Sequence, residues 1–219
     1  MSGVTVAIPS LFRHSLMATL NSVVCQKHLE AILVISGSCP SQQRNMAIEQ
    51  ALTKYIFFTD DDCVLDSACL DECFKVAEAE NLDLVFPRVG GGFRSGPTFV
   101  SVGAGIFARL DLARSIWFDG RMPFGEDLDF GWKAFDAGAK WKFVPSAQVY
   151  HIGAPRSPSY VDLQSRTKSL KLLQQKHPER FQWLVEHDSS VLGVWDENPE
   201  VGPGFHEVNR AAIANLEAI

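Results

Sequence analysis

The chain has 219 residues, of which 46% are hydrophobic and 21% charged, the balance of a globular domain able to bury roughly 70% of its unfolded surface. A formal net charge of −6 excludes the broad cationic surface that nucleic acid needs, so no nucleic-acid partner is expected. No apolar run approaches the roughly 18 residues of a membrane span and no signal peptide opens the chain, which points to a cytoplasmic protein without a transmembrane segment.

Val4 to Pro9 is a short β-branched run and reads as a buried strand. Ser15 to Gln26 follows as a helix, with Leu16, Leu20, Val23 and Val24 at helical spacing and Ser15 placed to cap it. Ala31 to Ser36 reads as a second strand, Gly37 to Gln42 as a turn and Arg44 to Lys54 as a second helix. Tyr55 to Thr59 is a third strand that stops at three aspartates. Strand and helix alternating at this spacing predict right-handed crossovers and a largely parallel sheet. Further on, Ser67 to Glu80 reads as helix, Leu82 to Pro87 and Phe99 to Phe107 as strands, and the glycine-rich Gly90 to Pro97 as a loop. Asp111 to Ser115 is a short helix, and Glu126 to Ala137 a helix stopped by Gly138. Lys140 to Val144 and Ala147 to His151 read as two short strands around Pro145. Ala154 to Tyr160 is loop-like, Asp162 to Lys176 helical, and a last helix is expected near Glu207 to Glu217. Phe181, Trp183 and Trp195 read as packing residues.

The five cysteines (Cys25, Cys39, Cys63, Cys69 and Cys73) are odd in number and form no CxxC pair, so they read as reduced thiols rather than a zinc site.

Three groups of residues carry chemistry. Asp60, Asp61 and Asp62 follow a hydrophobic strand, where ligands bind in an open α/β sheet. Their mutual repulsion suits a divalent cation bridging to a diphosphate, although an acidic solvated turn would look the same. In an extended segment, Asp60 and Asp62 would face one site and Asp61 the other side. Glu126 and Asp127 open a helix after Gly125. There the helix dipole favours ionised carboxylates, which is a structural reason in itself, and an ionised Asp can also take a proton from a hydroxyl. His151 ends a strand just before a Pro/Arg/Ser loop, as a surface or core residue or as a metal ligand.

Taken in order, these stretches resemble glycosyltransferase family 2 of the GT-A fold. Val6-Ala7-Ile8-Pro9-Ser10 matches the first strand of that family. Gln43-Arg44-Asn45-Met46-Ala47-Ile48, Ala51 and Tyr55 to Asp62 resemble its Arg-Asn helix and DxD motif. Gly103 to Arg109 resembles the strand beside the donor, and Phe118-Asp119-Gly120, Gly125 to Phe130, Gly138, Pro145 and Val149-Tyr150-His151 its acidic helix and following histidine. The resemblance implies a Rossmann-like α/β domain over residues 1–155, with residues 156–219 a helical extension packed on it. It implies Mn²⁺ or Mg²⁺ held by Asp60, Asp62 and His151, Asp127 as the base of an inverting displacement, and Glu126 placing the acceptor. Pro9, Ser10, Arg13, Arg44, Asp60, Asp61 and Gly103 would lie near the donor, and Arg156 would close over its phosphates. A UDP-sugar is the favoured donor, the acceptor is an unidentified glycan, lipid-linked or protein hydroxyl, and a homodimer is an option for the C-terminal segment.

Two departures put the nucleotide in question: Ser36-Gly37 stands where the family carries an acidic residue, and only seven residues separate Ser36 from Arg44. There is no QxxRW motif, so a processive synthase is not expected. A sugar-phosphate nucleotidyltransferase would need a glycine-rich N-terminal signature, which Ile8-Pro9-Ser10-Leu11 lacks. A GT-A-fold scaffold without turnover is the rival of another class. GxxxxGK[ST] and HExxH are both absent, which excludes a P-loop enzyme and a zinc hydrolase of that type.

Overall fold

A computed structural model describes residues 3–90, 103–152 and 163–187. The elements run β1 (Val4–Ser10), α1 (Leu16–Val24), β2 (Leu29–Ser36), α2 (Pro40–Gln50), β3 (Tyr55–Phe58), β4 (Cys63–Leu65) and α3 (Cys69–Glu80). They continue through β5 (Leu84–Val89), β6 (Ile106–Arg109), α4 (Leu110–Ile116), α5 (Glu126–Asp136), β7 (Trp141–His151), α6 (Leu163–Lys176) and α7 (Pro178–His187).

The strands form one seven-stranded sheet in the order β2-β1-β3-β6-β5-β7-β4. Period-2 alternation sends neighbouring side chains to opposite faces. Tyr55 and Phe57 therefore join one buried cluster with Val4, Val6 and Ile8, covered by α1 and α3. Ile56 and Phe58 join another with Ala7, Phe86 and Ile106, covered by α2, α4 and α5. A sheet sealed on both faces needs strands that are apolar throughout, and YIFF in β3 is buried at all four positions.

The sheet is mixed, which corrects the expectation of a largely parallel one. β2-β1, β1-β3 and β5-β7 are parallel, whereas β3-β6, β6-β5 and β7-β4 are antiparallel. The helix-strand alternation of the first 60 residues sets only the first three strands.

Local boundaries also shift. α2 starts at Pro40 instead of Arg44: proline at the first helical position lacks only an N–H that has no partner within the helix, and the polar Ser41 and Gln42 that read as part of a turn lie in its first turn. Ser15 makes no side-chain cap to α1; its carbonyl receives Ala18 and Thr19 instead. The two strands expected around Pro145 are one strand, β7, whose pairing with β5 jumps from Val144 to Gln148. A proline cannot donate to the ladder, so it falls in this irregular stretch. β4 escapes a periodicity reading because it has three residues and exists through its pairing with Val149–His151 of β7.

α6 and α7 pack on α5. Leu170, Leu173 and Phe181 close over Met122, Leu128 and Trp132 in a third apolar cluster. Beside it Asp129, 0% exposed, receives Lys133 at 2.9 Å, His177 at 3.0 Å and Lys176. Burial pushes this carboxyl upward, but the hydrogen bonds from His177, Lys176 and Lys133 outweigh it and hold it down at about 2. Arg180 continues the junction with two bonds to Asp136. Arg156, Trp195, the strand start at 99–102, most of the glycine-rich loop, the 154–160 loop and the helix expected near 207–217 lie outside the described residues. Among the described residues no helix is long and apolar enough to cross a membrane.

Candidate active site

The candidate site lies where the C-terminal ends of β1 and β3 meet β4, the end of β7 and the N-terminus of α5. The chain turns between Asp60 and Cys63, with the Cys63 amide donating to the Asp60 carbonyl at 3.3 Å. Because the aspartates sit in a turn, the strict alternation of an extended segment does not apply, and the expected pairing of Asp60 with Asp62 is replaced by a different division. Asp60 accepts from Arg44 at 3.0 Å. Asp61 turns back onto β1, accepting from the Ser10 hydroxyl and the Leu11 amide, both at 2.9 Å. Asp62 faces His151, with Oδ1 3.3 Å from the ring Nε2. Arg13 neutralises this corner, bonded to Asp62 and 3.4 Å from Asp61.

Asp62, Cys63 and His151 each offer one ligand atom within 4.8 Å of the others, a donor set able to hold a cation. Asp60 stands outside that set. Cys63, read from the sequence as a reduced thiol, is the residue that local spacing could not reveal: it reaches the histidine only because β4 pairs with β7.

Arg44 is the hub of the other half. It is 2% exposed. One terminal nitrogen donates to Glu126 at 2.6 Å and the other to Asp60 at 3.0 Å. The guanidinium lies 5.4 Å from the Phe118 ring centre. A Cβ on Gly103 would come within 2.5 Å of Arg44 Nη2, so glycine there is a matter of space. The Gly103 amide donates to Asp127 at 2.8 Å. Arg44 thus joins the aspartate turn after β3 to the carboxylates of α5.

Gln43 and Asn45 flank this hub. The Gln43 amide donates to the carbonyls of Ser10 and Ile35, tying the ends of β1 and β2 together. Asn45 makes two bonds of 2.9 Å with the Phe118 backbone. Pro9 and Ser10 end β1 beside this tie and are buried. Glu126 is buried and bonded to Arg44, so its carboxylate faces the hub.

Asp127 is half-buried. Burial and the adjacent Glu126 charge push its carboxyl up to about 7; Arg44 and the amides of Gly103 and Leu128 pull the other way without cancelling them. The helix dipole alone would predict a low value, so this is a correction with a clear cause: desolvation and a like charge outweigh the dipole here. A carboxylate that titrates near neutrality is suited to accepting a proton in catalysis.

A mixed α/β sheet with acidic groups at its carboxyl edge is the architecture of GT-A nucleotide-sugar transferases. Residues 39–111 match the family model of glycosyl transferase family 2. Over that stretch the chain is similar to the family. Over 97 residues it is 31% identical to the chondroitin synthase of Escherichia coli; that match takes in 43% of the chain and 14% of the synthase. The fold is similar to that of the mannosyltransferase PcManGT from Pyrobaculum calidifontis in complex with GDP-Man and Mn²⁺, with a TM-score of 0.63 at 14% identity over 98% of this chain and 75% of the other. S. aureus TarS 1–349 gives a TM-score of 0.61 at 14% identity, covering 98% and 89% of the two chains. TarS 1–349 in complex with UDP-GlcNAc gives 0.55 at 15% identity, covering 98% and 89%.

Proposed function

We propose that the chain transfers a sugar from a nucleotide diphosphate donor to an acceptor hydroxyl, with inversion at the anomeric carbon. The observation that carries this reading is the single bonded network from Asp60 through Arg44 to Glu126, beside a base candidate, Asp127, that titrates near neutrality. Asp127 takes the acceptor's proton as the acceptor oxygen bonds to the anomeric carbon. The bond from that carbon to the diphosphate oxygen breaks, and the nucleoside diphosphate leaves. Arg44 keeps Glu126 and Asp60 paired, and the Gly103 amide fixes one Asp127 oxygen.

Asp62 and His151 fit a divalent cation of the Mn²⁺ or Mg²⁺ class: a carboxylate oxygen and an imidazole nitrogen 3.3 Å apart, at the edge of the sheet. When bound, such a cation would stabilise the charge that develops on the leaving diphosphate. Ser10 and Pro9 at the end of β1 place the donor's nucleotide near Asp61, and Arg156 supports the phosphates. PcManGT in complex with GDP-Man and TarS in complex with UDP-GlcNAc make both UDP- and GDP-sugars donors to try, with UDP first.

The test is the release of nucleoside diphosphate from a panel of UDP- and GDP-sugars in the presence of oligosaccharide acceptors. Asp127→Asn should lower turnover by about 10²- to 10⁴-fold, the usual range for a general base, while nucleotide binding persists. Full turnover in that variant contradicts the role of Asp127. No turnover by the wild type on any donor, with nucleotide still bound, would favour a scaffold that kept the fold.

A further inference from the structure

β4 and β7 are antiparallel neighbours, and their register sets Cys63 directly opposite His151. Residues directly opposite in such a pair send their side chains to the same face. Cys63 Sγ, an Asp62 oxygen and a His151 ring nitrogen consequently converge within 4.8 Å. Cys63 is 0% and Asp62 1% exposed, whereas His151 is partly exposed, and Arg13 is bonded to Asp62 at the same corner. The other cysteines take no part: Cys69 and Cys73 are core residues of α3, Cys25 is exposed after α1, and Cys39 precedes α2.

We infer that Cys63 is a third protein ligand of the cation site, and that its sulfur makes the site favour zinc-like cations over Mg²⁺. The inference rests on the reading of Asp62 and His151 as cation ligands. Mg²⁺ demands octahedral oxygen coordination and gives up its waters reluctantly. Thiolate and imidazole together suit zinc and cobalt. One carboxylate, one thiolate and one imidazole leave a tetrahedral ion a fourth position, as in catalytic zinc sites, and a diphosphate oxygen of the donor would fill it. Bonds of about 2.0 Å to oxygen and nitrogen and about 2.3 Å to sulfur set the ligand atoms roughly 3.5 Å apart. The three atoms, within 4.8 Å of one another, thus lie close to the spacing a bound ion would set. The thiol proton passes to solvent as the sulfur–metal bond forms, and no oxidant or reductant is involved.

The probe is Co²⁺ titrated into the metal-stripped full chain and followed by absorption. A sulfur-to-cobalt charge-transfer band should appear in the near ultraviolet at one equivalent. It should disappear in Cys63→Ser and persist in Cys25→Ser. Zn²⁺ should displace the cobalt at far lower concentration than Mg²⁺, and Cys63→Ser should narrow that discrimination about tenfold or more, the scale of effect seen when a metal's supporting groups are removed. Because Cys63 is buried, X-ray absorption of the zinc-loaded wild type gives a second measurement that needs no variant: one sulfur at about 2.3 Å is expected. Cobalt binding with no charge-transfer band, or a zinc shell of oxygen and nitrogen only, overturns the ligand role of Cys63 and leaves the cation site standing. A band that survives in Cys63→Ser also overturns it, since the sulfur then belongs to another cysteine. If no cobalt binds at all, the cation reading of Asp62 and His151 falls as well.

Discussion

Asp127 is the residue on which chemistry and stability pull in opposite directions. Its carboxyl is raised from 3.8 to about 7 by burial and by Glu126. A raised carboxyl pKa means that the fold favours the protonated form, so this group's contribution is fully present below about pH 4 and is lost as the pH rises through 7. With Asp127 as the proposed base, turnover should follow the opposite course, because only the ionised form accepts a proton. The pH–rate profile should therefore rise through about 7, and that limb should be missing in Asp127→Asn. The same variant should melt higher than the wild type at pH 8, with the gap closing near pH 4, as measured by calorimetry. Active sites commonly trade stability for function in this way. Gly103→Ala tests a second residue: the added methyl would lie 2.5 Å from Arg44 Nη2. A loss of about 1–3 kcal/mol from overpacking is expected in urea melts, together with lower turnover as Arg44 and the Gly103 amide move.

At the scale of elements, Arg44 on α2 couples the turn after β3 to the first turn of α5. Replacing it with Met leaves Glu126 buried without its counter-charge, which should cost about 3–5 kcal/mol. Arg44 also pulls the Asp127 carboxyl downward, so in Arg44→Met the rising limb of the pH–rate profile should move to higher pH. An unmoved limb would mean that Asp127 does not sense Arg44. On the other side of α5, Asp129 holds α6 through Lys176 and His177. Its carboxyl is lowered to about 2, so the stability it supplies is present above about pH 4 and is lost as the pH falls through 2. Asp129→Asn should thus be destabilised at pH 7 and approach the wild type in strong acid.

These elements also divide what the sequence discloses from what it conceals. β1, α1, β2 and β3 are legible because each carries its own period and its neighbours in sequence are its neighbours in space. The aspartate turn, Gly125-Glu126-Asp127 and His151 are legible as ordered signals. What stays hidden is set by contacts distant in sequence: β4 forms against β7, Cys63 gains its neighbours through that pairing, and Arg44 becomes a buried hub because Glu126 arrives from 82 residues away. Phe181 reads correctly as a packing residue, yet α7 itself gave no clear helical signal beyond its apolar positions. The helix position of Asp127 predicts a lowered pKa, whereas burial and the Glu126 charge raise it.

For the whole molecule, the sheet's carboxyl edge gathers the Asp62–His151 corner and the Asp127 corner, with Arg44 bonded beneath to Asp60 and Glu126. On the proposed function, the site should bind its nucleotide only when the Asp62–His151 corner holds a cation. The most direct measurement is a thermal-shift panel of nucleoside diphosphates, with and without Mn²⁺, Mg²⁺ or Zn²⁺, on the wild type and Asp62→Ala. A ligand at about 100 times its Kd adds about 2.7 kcal/mol of stability. The account predicts that one nucleotide raises the melting temperature of the wild type only with a divalent cation, and that Asp62→Ala loses this response. A wild type that no nucleotide stabilises, with or without a cation, would contradict it.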